Sequence, residues 1–183
     1  FHKYHSLLFN GNFKSKLSFN LLEYGINVKF IYLISSSIED NSGNRNDSNP
    51  FEFSISLFFQ DIMNLIKFEN LSPRFQIIPA FRIEYNTQFA FNPSFDLDII
   101  YYFDDKQNFY ISLNGNLGYK LPDLQDLFWS DNGFSVGNSD LKPEYVKGLN
   151  LNFSSNFFNK HLKIELSGYL NYYTDLIQWL PGA

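Results

Sequence analysis

Apolar and polar residues alternate with a period of two along most of the chain. The alternation holds in segments 51–59, 73–86, 93–103, 107–119 and 162–173. The clearest case is 107–119, whose apolar positions are Phe109, Ile111, Leu113, Leu117 and Tyr119. Successive side chains of a β-strand point to opposite faces, so this pattern predicts strands that each have one apolar and one polar face. In all five segments the apolar face carries no charge.

The length of these segments favours strands that cross a membrane. Several are as long as the roughly 9–11 residues of a tilted spanning strand, whereas strands of globular proteins average about 5–6. A Lys or Arg that faces lipid at the bilayer midplane costs about 2–4 kcal/mol, which explains an uncharged face. No run approaches the roughly 18 apolar residues of a spanning helix. The predicted fold is all-β, an antiparallel transmembrane β-barrel.

Eight strands are predicted, near 1–10, 17–36, 51–66, 73–86, 92–104, 107–119, 144–157 and 162–178. The apolar pattern slips between Leu21 and Leu22, which predicts a bulge there. Long, polar connections near 37–50 and 120–143, and a connection near 87–91 that is short for the same end, alternate with tight turns near 11–16, 67–72, 104–107 and 158–161. In barrel transporters the long loops are extracellular and the short turns periplasmic, so we assign the two sets in that way. Residues 1–183 are thus predicted to form one partial barrel domain.

Composition supports a membrane environment and excludes several functions. The chain has 183 residues, of which 20% are aromatic, with 22 Phe and 12 Tyr. A soluble domain of this size buries only part of its surface, so this many rings need an apolar environment outside the protein, such as lipid. The net charge of −5 argues against a nucleic-acid partner. Without cysteine there is neither a disulfide nor a thiolate metal site.

The most specific motif lies between 115 and 144. Its first half runs through Tyr119-Lys120, Pro122 and Asp126-Leu127-Phe128, and its second half consists of Gly137, Asn138, Leu141, Lys142, Pro143 and Glu144. The two halves resemble the signature of TonB-dependent outer-membrane receptors, and weaker similarity extends over about 51–180. We expect a structural role for these residues. Pro122 has no N–H to donate and ends the strand ladder, while Leu127 and Phe128 pack on the barrel mouth or in the interfacial aromatic belt.

The resemblance implies a 22-stranded barrel of the bacterial outer membrane, of which this chain supplies about eight strands. Such a barrel encloses a plug domain, and no plug, TonB-binding segment or final strand is recognisable in this sequence. Both ends of the chain look cut, and we interpret it as a fragment. The implied function is import of a scarce nutrient, namely a ferric siderophore, haem or cobalamin. The implied partners are membrane lipid, the protein's own plug, TonB acting through that plug, and the nutrient. No enzymatic activity and no cofactor are expected.

Two predicted loops offer groups that could contact a ligand. Loop 120–143 carries Trp129, Asp131, Asn132 and Phe134, whose rings and polar groups suit an organic chelate, although a solvated loop with anchored aromatics is the simpler interpretation. Loop 37–50 is rich in Asp, Asn and Glu oxygens that could hold Ca²⁺, but their order does not match an EF-hand, and no metal site is predicted.

The remaining titratable groups favour no catalytic chemistry. Asp96 and Asp98 share the polar face about 7 Å apart, from the rise per residue of a strand. We expect them to face water or the plug. His2 and His5 fall on opposite faces, and His161 lies in a predicted turn.

Two other functions remain open at this point. The strand count suits a complete eight-stranded outer-membrane barrel with an adhesin or structural role, whereas the signature at 115–144 favours the larger receptor. A soluble β-sandwich, such as a carbohydrate-binding module, also alternates. It predicts shorter strands and a polar outer face, which the uncharged apolar faces disfavour.

Overall fold

Consecutive hairpins build one antiparallel sheet in the computed structural model of the chain, which describes residues 2–17, 20–35, 49–128, 136–158 and 161–178. Its strands are β1 (His2–Leu17), β2 (Asn20–Ser35), β3 (Phe51–Lys67), β4 (Pro73–Asn86), β5 (Ala90–Tyr102), β6 (Phe109–Lys120), β7 (Glu144–Phe157) and β8 (Leu162–Thr174). Their order in the sheet is their order in the chain, so β1 and β8 are its two edges. The five-residue helix α1 (Leu124–Phe128) follows β6. Within the described residues, no helix is long and apolar enough to cross a membrane.

The two faces of the sheet differ in polarity, as the alternation predicts. Cross-strand partners form a row on the apolar face that runs through Tyr24, Phe59, Phe81, Phe95 and Leu117 on β2 to β6. All five of these side chains are at least 40% exposed. On the polar face, by contrast, Glu52, Ser54 and Ser56 of β3 are at most 4% exposed. The sheet therefore shelters its polar face and exposes its apolar one, the reverse of a water-soluble protein.

The tight turn predicted near 11–16 is wrong. β1 continues to Leu17 and pairs without interruption with β2, which begins at Asn20. Cross-strand pairs hold the extension together. The rings of Phe13 and Tyr24 stack with centroids 5.7 Å apart, and Lys14 Nζ lies 2.5 Å from Glu23 Oε1. The polar residues of 10–16 belong to one long strand and do not form a turn.

The bulge predicted between Leu21 and Leu22 is also wrong, because both residues keep continuous register with β1 and β3. The irregularity lies instead in β3, where the register to β4 shifts at Asn64 and Ile66. Charged residues also fall within the apolar register, among them Asp61 and Lys147. Asp61 accepts a hydrogen bond from Asn20 Nδ2 at 2.9 Å, and Lys147 lies opposite Leu117 near the start of β7.

The sheet has a short-turn end and a long-loop end. At the short-turn end, chain reversals fall between Lys67 and Pro73, between Tyr102 and Phe109, and between Phe157 and Leu162, close to the predicted positions. The long-loop end carries the connections that follow β2, β4 and β6. The β4–β5 connection is a three-residue hairpin loop, tied to β3 because Thr87 N donates to Phe53 O at 3.0 Å and Phe53 N donates to Thr87 Oγ1 at 3.1 Å.

Candidate functional site

The signature segment after β6 folds back over the polar face of the sheet. Leu124 of α1 is fully buried in a cluster with Ile31 and Leu33 of β2, and Phe128 packs against that cluster. Leu127 is 5% exposed. Of the two positions predicted for Leu127 and Phe128, the structure therefore shows packing against the sheet rather than a place in an interfacial belt. Because β6 and β2 are separated by three strands in the sheet, the segment from the end of β6 to α1 crosses the polar face at the long-loop end.

Hydrogen bonds hold α1 and the second half of the signature in place. Asp123 N donates to Asp126 Oδ2 at 2.9 Å, and Leu127 N donates to Asp123 O at 3.1 Å. Asn138 links the halves, because its N–H donates to Asp126 O at 2.8 Å. Its side-chain Oδ1 accepts a hydrogen bond from Asp140 N at 2.9 Å. The buried ring of Pro122 begins this return of the chain, as expected of a residue with no N–H for the ladder.

The remaining signature residues lead into β7. Leu141 N donates to Asn138 O at 3.3 Å, and Glu144 Oε2 accepts a hydrogen bond from Ile177 N at 3.3 Å. Gly137 and Pro143 are half-buried, while Lys142 is exposed. These contacts are internal to the protein and connect the signature to β7 and to the segment after β8.

A pocket of about 360 Å³ lies between the start of the signature segment and the polar face. Five strands contribute to it, from β2 to β6, and its lining residues are Lys29, Glu52, Arg82, Glu84, Ser94, Tyr119, Leu121, Pro122 and Asp123. We call it the charged pocket. Two signature residues, Tyr119 and Pro122, are therefore part of its wall.

Two ion pairs set the electrostatics of the charged pocket. Lys29 Nζ lies 3.1 Å from Glu52 Oε1, and Arg82 Nη2 lies 3.2 Å from Glu84 Oε2. The side chains of the carboxylates are 5% and 12% exposed, whereas those of the cations are 41% and 44% exposed. The carboxylates thus form the floor, and the ammonium and guanidinium groups face the solvent. Because both ion pairs are partly exposed, solvent screens them and they add little to the stability of the fold. Their main effect is to orient the two cations.

Tyr119 does not lie where strand alternation predicts. It was expected on the apolar face with Leu117, but its hydroxyl donates a hydrogen bond to Glu84 Oε2 of the polar face at 2.8 Å. Pairing between β5 and β6 ends at Phe95 and Leu117. Beyond that point β6 separates from β5 and pairs only with β7, which gives the ring of Tyr119 room to reach the charged pocket.

A second depression and a cluster of amide and carboxylate groups lie on the side of the charged pocket that faces the short-turn end. The depression, of about 240 Å³, shares Arg82 and Ser94 with the charged pocket. Next comes an amide cluster in which Asn114 Nδ2 donates to both Asp96, at 3.0 Å, and Asp98, at 2.9 Å. Asn114 Oδ1 accepts hydrogen bonds from Asn116 and Asn150. Asp96 and Asp98 thus share the polar face as predicted.

Other predicted groups lie outside the described residues or form no cluster within them. The ligand-contact candidates Trp129, Asp131, Asn132 and Phe134 are all outside the described part, as are residues 37–48 of the loop considered for Ca²⁺. In the described ranges, no three His, Asp or Glu residues are grouped so that they could hold a metal ion. His161 Nδ1 contacts Phe158 O at 2.5 Å within its turn.

The sheet and its signature segment agree with a family match over nearly the whole chain. Residues 2–183 match the family model described as "TonB dependent receptor-like, beta-barrel". The chain belongs to the TonB-dependent receptor family. The resemblance found in the motif at 115–144 is therefore confirmed, and so is the antiparallel all-β fold. Members of this family are receptors and transporters with outer-membrane β-barrels rather than enzymes.

Known TonB-dependent receptors share the fold or part of the sequence. A ferric enterobactin receptor (PfeA) variant from Pseudomonas aeruginosa superposes with a TM-score of 0.74 at 18% identity, covering 94% of this chain and 27% of that protein. The siderophore receptor PirA from Acinetobacter baumannii gives 0.72 at 18% identity, with 96% and 28% covered. The vitamin B12 transporter BtuB of Photobacterium profundum is 34% identical over 71 residues, which are 39% of this chain and 11% of that transporter. The chain thus spans about a quarter of the solved receptors it matches.

Proposed function

We propose that the chain is part of an outer-membrane receptor that imports a ferric siderophore, haem or cobalamin with energy supplied by TonB through a plug domain. The observation that carries this proposal is the signature segment, which crosses the polar face and closes a pocket of ligand size. Pockets for small molecules have volumes of about 300–1,000 Å³, and the charged pocket falls within that range.

The apolar face supports a position in the membrane. On β4, Tyr85 and Phe75 are ten residues apart and both lie on the apolar face. With a rise of about 3.4 Å per residue and a tilt of about 40°, that distance corresponds to a height of about 25 Å, which equals the apolar band of outer-membrane barrels. Aromatic pairs mark both borders of this band: Tyr85 with Phe91, and Phe75 with Tyr101.

The charged pocket supports a ligand with polar or anionic groups. Its exposed cations, Lys29 and Arg82, are held by carboxylates beneath them, and the Tyr119 hydroxyl is close by. The relatives named above include receptors for siderophores and a transporter for vitamin B12. We infer the same class of cargo for this chain, with loop 120–143, including Trp129 and Phe134, contributing further contacts.

Isothermal titration of the full-length receptor with a panel of ferric siderophores, haem and cobalamin tests this function. We expect saturable binding of one of these compounds, and TonB-dependent uptake of the same compound by cells. Replacing Lys29 with Met should weaken that binding, whereas Lys163→Met, at the opposite end of the sheet, should leave it unchanged. Binding of oligosaccharides alone would contradict the proposal.

The alternative of a small eight-stranded adhesin barrel has less support. A closed barrel requires its first and last strands to pair, yet β1 and β8 are the two free edges of an open sheet. In the proposed receptor these edges pair with further strands of a larger wall, which the resemblance implies to be 22-stranded.

A further inference from the structure

Arg74 is held by aromatic side chains at the short-turn end of the sheet. Its guanidinium carbon lies 5.4 Å from the centroid of the Phe68 ring and 5.6 Å from that of Tyr101. Its Nε and Nη2 atoms donate to the Tyr101 hydroxyl, at 3.2 and 2.9 Å. The cation is thus fixed in one orientation, with its Nη1 donors unused in the described structure. We call Phe68, Arg74 and Tyr101 the arginine clasp.

No carboxylate in the described ranges neutralises this cation. Among the described residues, no Asp or Glu lies within ion-pair distance of Arg74, whereas Arg82 is paired with Glu84. The nearest acidic residues along the adjoining turns have other partners. Asp104 accepts hydrogen bonds from Phe109 N and Asn108 Nδ2, and Asp105 accepts one from Asn70 Nδ2. The remaining one, Glu69, is exposed in the turn after β3. Two aromatic rings orient this exposed guanidinium, and no anion among the described residues pairs with it. Such a group is suited to bind an anion from outside the protein.

The arginine clasp lies at the border of the apolar band. Phe75 follows Arg74 in the sequence and is the cross-strand partner of Tyr101. This pair marks the short-turn border of the apolar band, whose height is about 25 Å. An aromatic strip extends sideways from Tyr101 through Phe103 and Phe109 to Phe153, with centroid distances of 4.9, 4.2 and 5.0 Å. Such rings lie at the level of lipid headgroups, where the phosphates of a bilayer are found.

We propose that the arginine clasp binds the phosphodiester of a phospholipid headgroup in the membrane leaflet at the short-turn end. The proposal rests on the membrane position given under Proposed function. The Nη1 donors of Arg74 face the phosphate oxygens, since guanidinium and phosphate form strong charge-assisted hydrogen bonds. Phe68 and the aromatic strip contact the upper part of the acyl chains.

The arginine clasp is preformed, because the two turns that carry its neighbours are tied together. Ser72 Oγ donates to Asp105 O at 3.0 Å, and Asn70 Nδ2 donates to Asp105 Oδ2 at 3.3 Å. Phe68 N donates to Ser72 O at 2.9 Å, which fixes the position of the Phe68 backbone. A fixed site loses little conformational freedom when a lipid binds. A lipid in this site can therefore stay bound longer than lipids stay at other positions around the protein.

The test is native mass spectrometry of the full-length receptor in detergent, titrated with a short-chain phosphatidylglycerol. We expect the variant Arg74→Gln to lose one tightly bound phospholipid, with an affinity about tenfold lower, the size of one lost charge-assisted hydrogen bond. The matched control is Lys14→Gln. It removes one positive charge at the same end of the sheet, from a lysine that is already paired with Glu23. Its lipid affinity should equal that of the unmodified receptor.

Three results would overturn the proposal: equal lipid retention by Arg74→Gln, an equal loss in Lys14→Gln, or displacement of the lipid by inorganic phosphate at the same concentration. The last result would indicate a site for free phosphate. Should Arg74→Gln fail to fold, Tyr101→Phe replaces it, since that variant keeps the ring and releases the guanidinium. Titration of the same variants with the nutrient separates this inference from the proposed transport function, because a variant of the arginine clasp should bind nutrient normally.

Discussion

The hydroxyl of Tyr119 joins the family signature to the charged pocket. By strand alternation this residue belongs to the apolar face, yet its hydroxyl reaches Glu84 on the other face. Pairing with β5 ends at Leu117, whereas β6 pairs with β7 as far as Lys120, so Tyr119 has a neighbouring strand on one side only. The sequence motif therefore identifies Tyr119 as important, but its pocket contact depends on where two strands part.

We expect Tyr119→Phe to lower the free energy of unfolding of the receptor by about 1–2 kcal/mol, because Glu84 loses one hydrogen bond to its carboxylate and keeps only Arg82. Guanidinium unfolding in detergent, followed by tryptophan fluorescence, measures the change. The control is Tyr85→Phe, one position from Glu84 on the apolar face. The ring at position 85 still packs on Phe91, and we expect the stability of this variant to stay within about 0.5 kcal/mol of the unmodified protein. Equal stability of the two variants would contradict a structural role for the Tyr119 hydroxyl.

The cations of the charged pocket were not identified from the sequence. Lys29 and Arg82 lie on strands separated by β3, and each occupies an ordinary polar position of its strand. Only the pairing of β2 and β4 with β3 brings them to the same pocket. Periodicity alone predicts which face they occupy, and the long-range pairing that aligns β2 with β4 is not encoded in any short motif.

Helix α1 anchors the segment after β6 to the sheet, and this segment covers the charged pocket. Its five residues form less than two helical turns, so its stability comes from tertiary contacts rather than from its own hydrogen bonds. Leu124 supplies the main contact, through the cluster with Ile31 and Leu33. This contact holds the signature segment against the sheet, and Pro122 and Asp123 of the same segment lie in the wall of the charged pocket.

We predict that Leu124→Ala releases α1 from the sheet. Truncating a fully buried Leu costs about 2–3 kcal/mol, which makes local opening easier by the same amount. Hydrogen exchange at the Leu127 amide, which is bonded to Asp123 O, should then be about 30- to 150-fold faster. Gln125→Ala on the same helix removes a partly exposed polar side chain and should leave that exchange rate unchanged. Unaltered exchange in Leu124→Ala would show that other contacts hold the segment.

The strands illustrate which parts of the fold a sequence can predict. The five segments with clean alternation all became strands, because a period of two maps directly onto the faces of a sheet. The first hairpin was misplaced, since Asn10, Gly11 and Asn12 have the composition of a turn. In the structure they pair with β2, and the chain reverses only after Leu17. Long strands that extend beyond the apolar band carry polar residues on both faces, so polarity no longer marks where they end.

At the scale of the whole molecule, the sheet is open and both of its edges carry unpaired backbone groups. β8 is exposed along its entire length, and on β1 every described side chain except two is exposed. Free edges of this length promote association with other strands. In a complete receptor the neighbouring strands of the wall would cover them.

The 183-residue chain on its own should therefore not fold as a closed monomer. After dilution from urea into detergent micelles, we expect size-exclusion chromatography to show oligomers joined through β1 and β8, with no heat-modifiable monomer on a gel. The full-length receptor, refolded in the same way, is the control and should give that monomer. A compact monomer from the isolated chain would favour the small-barrel alternative.

The contact between α1 and β2 also bears on the order in which this wall assembles. Every strand pairs with its predecessor in the chain, so each hairpin can form as soon as its two strands are available, at a small cost in loop entropy. The packing of Leu124 on Ile31 and Leu33 is different, because it joins residues far apart in sequence. It can close only when the strands from β2 to β6 already stand side by side. This contact therefore forms late in folding. Until it forms, α1 does not cover the polar face of the partly assembled sheet.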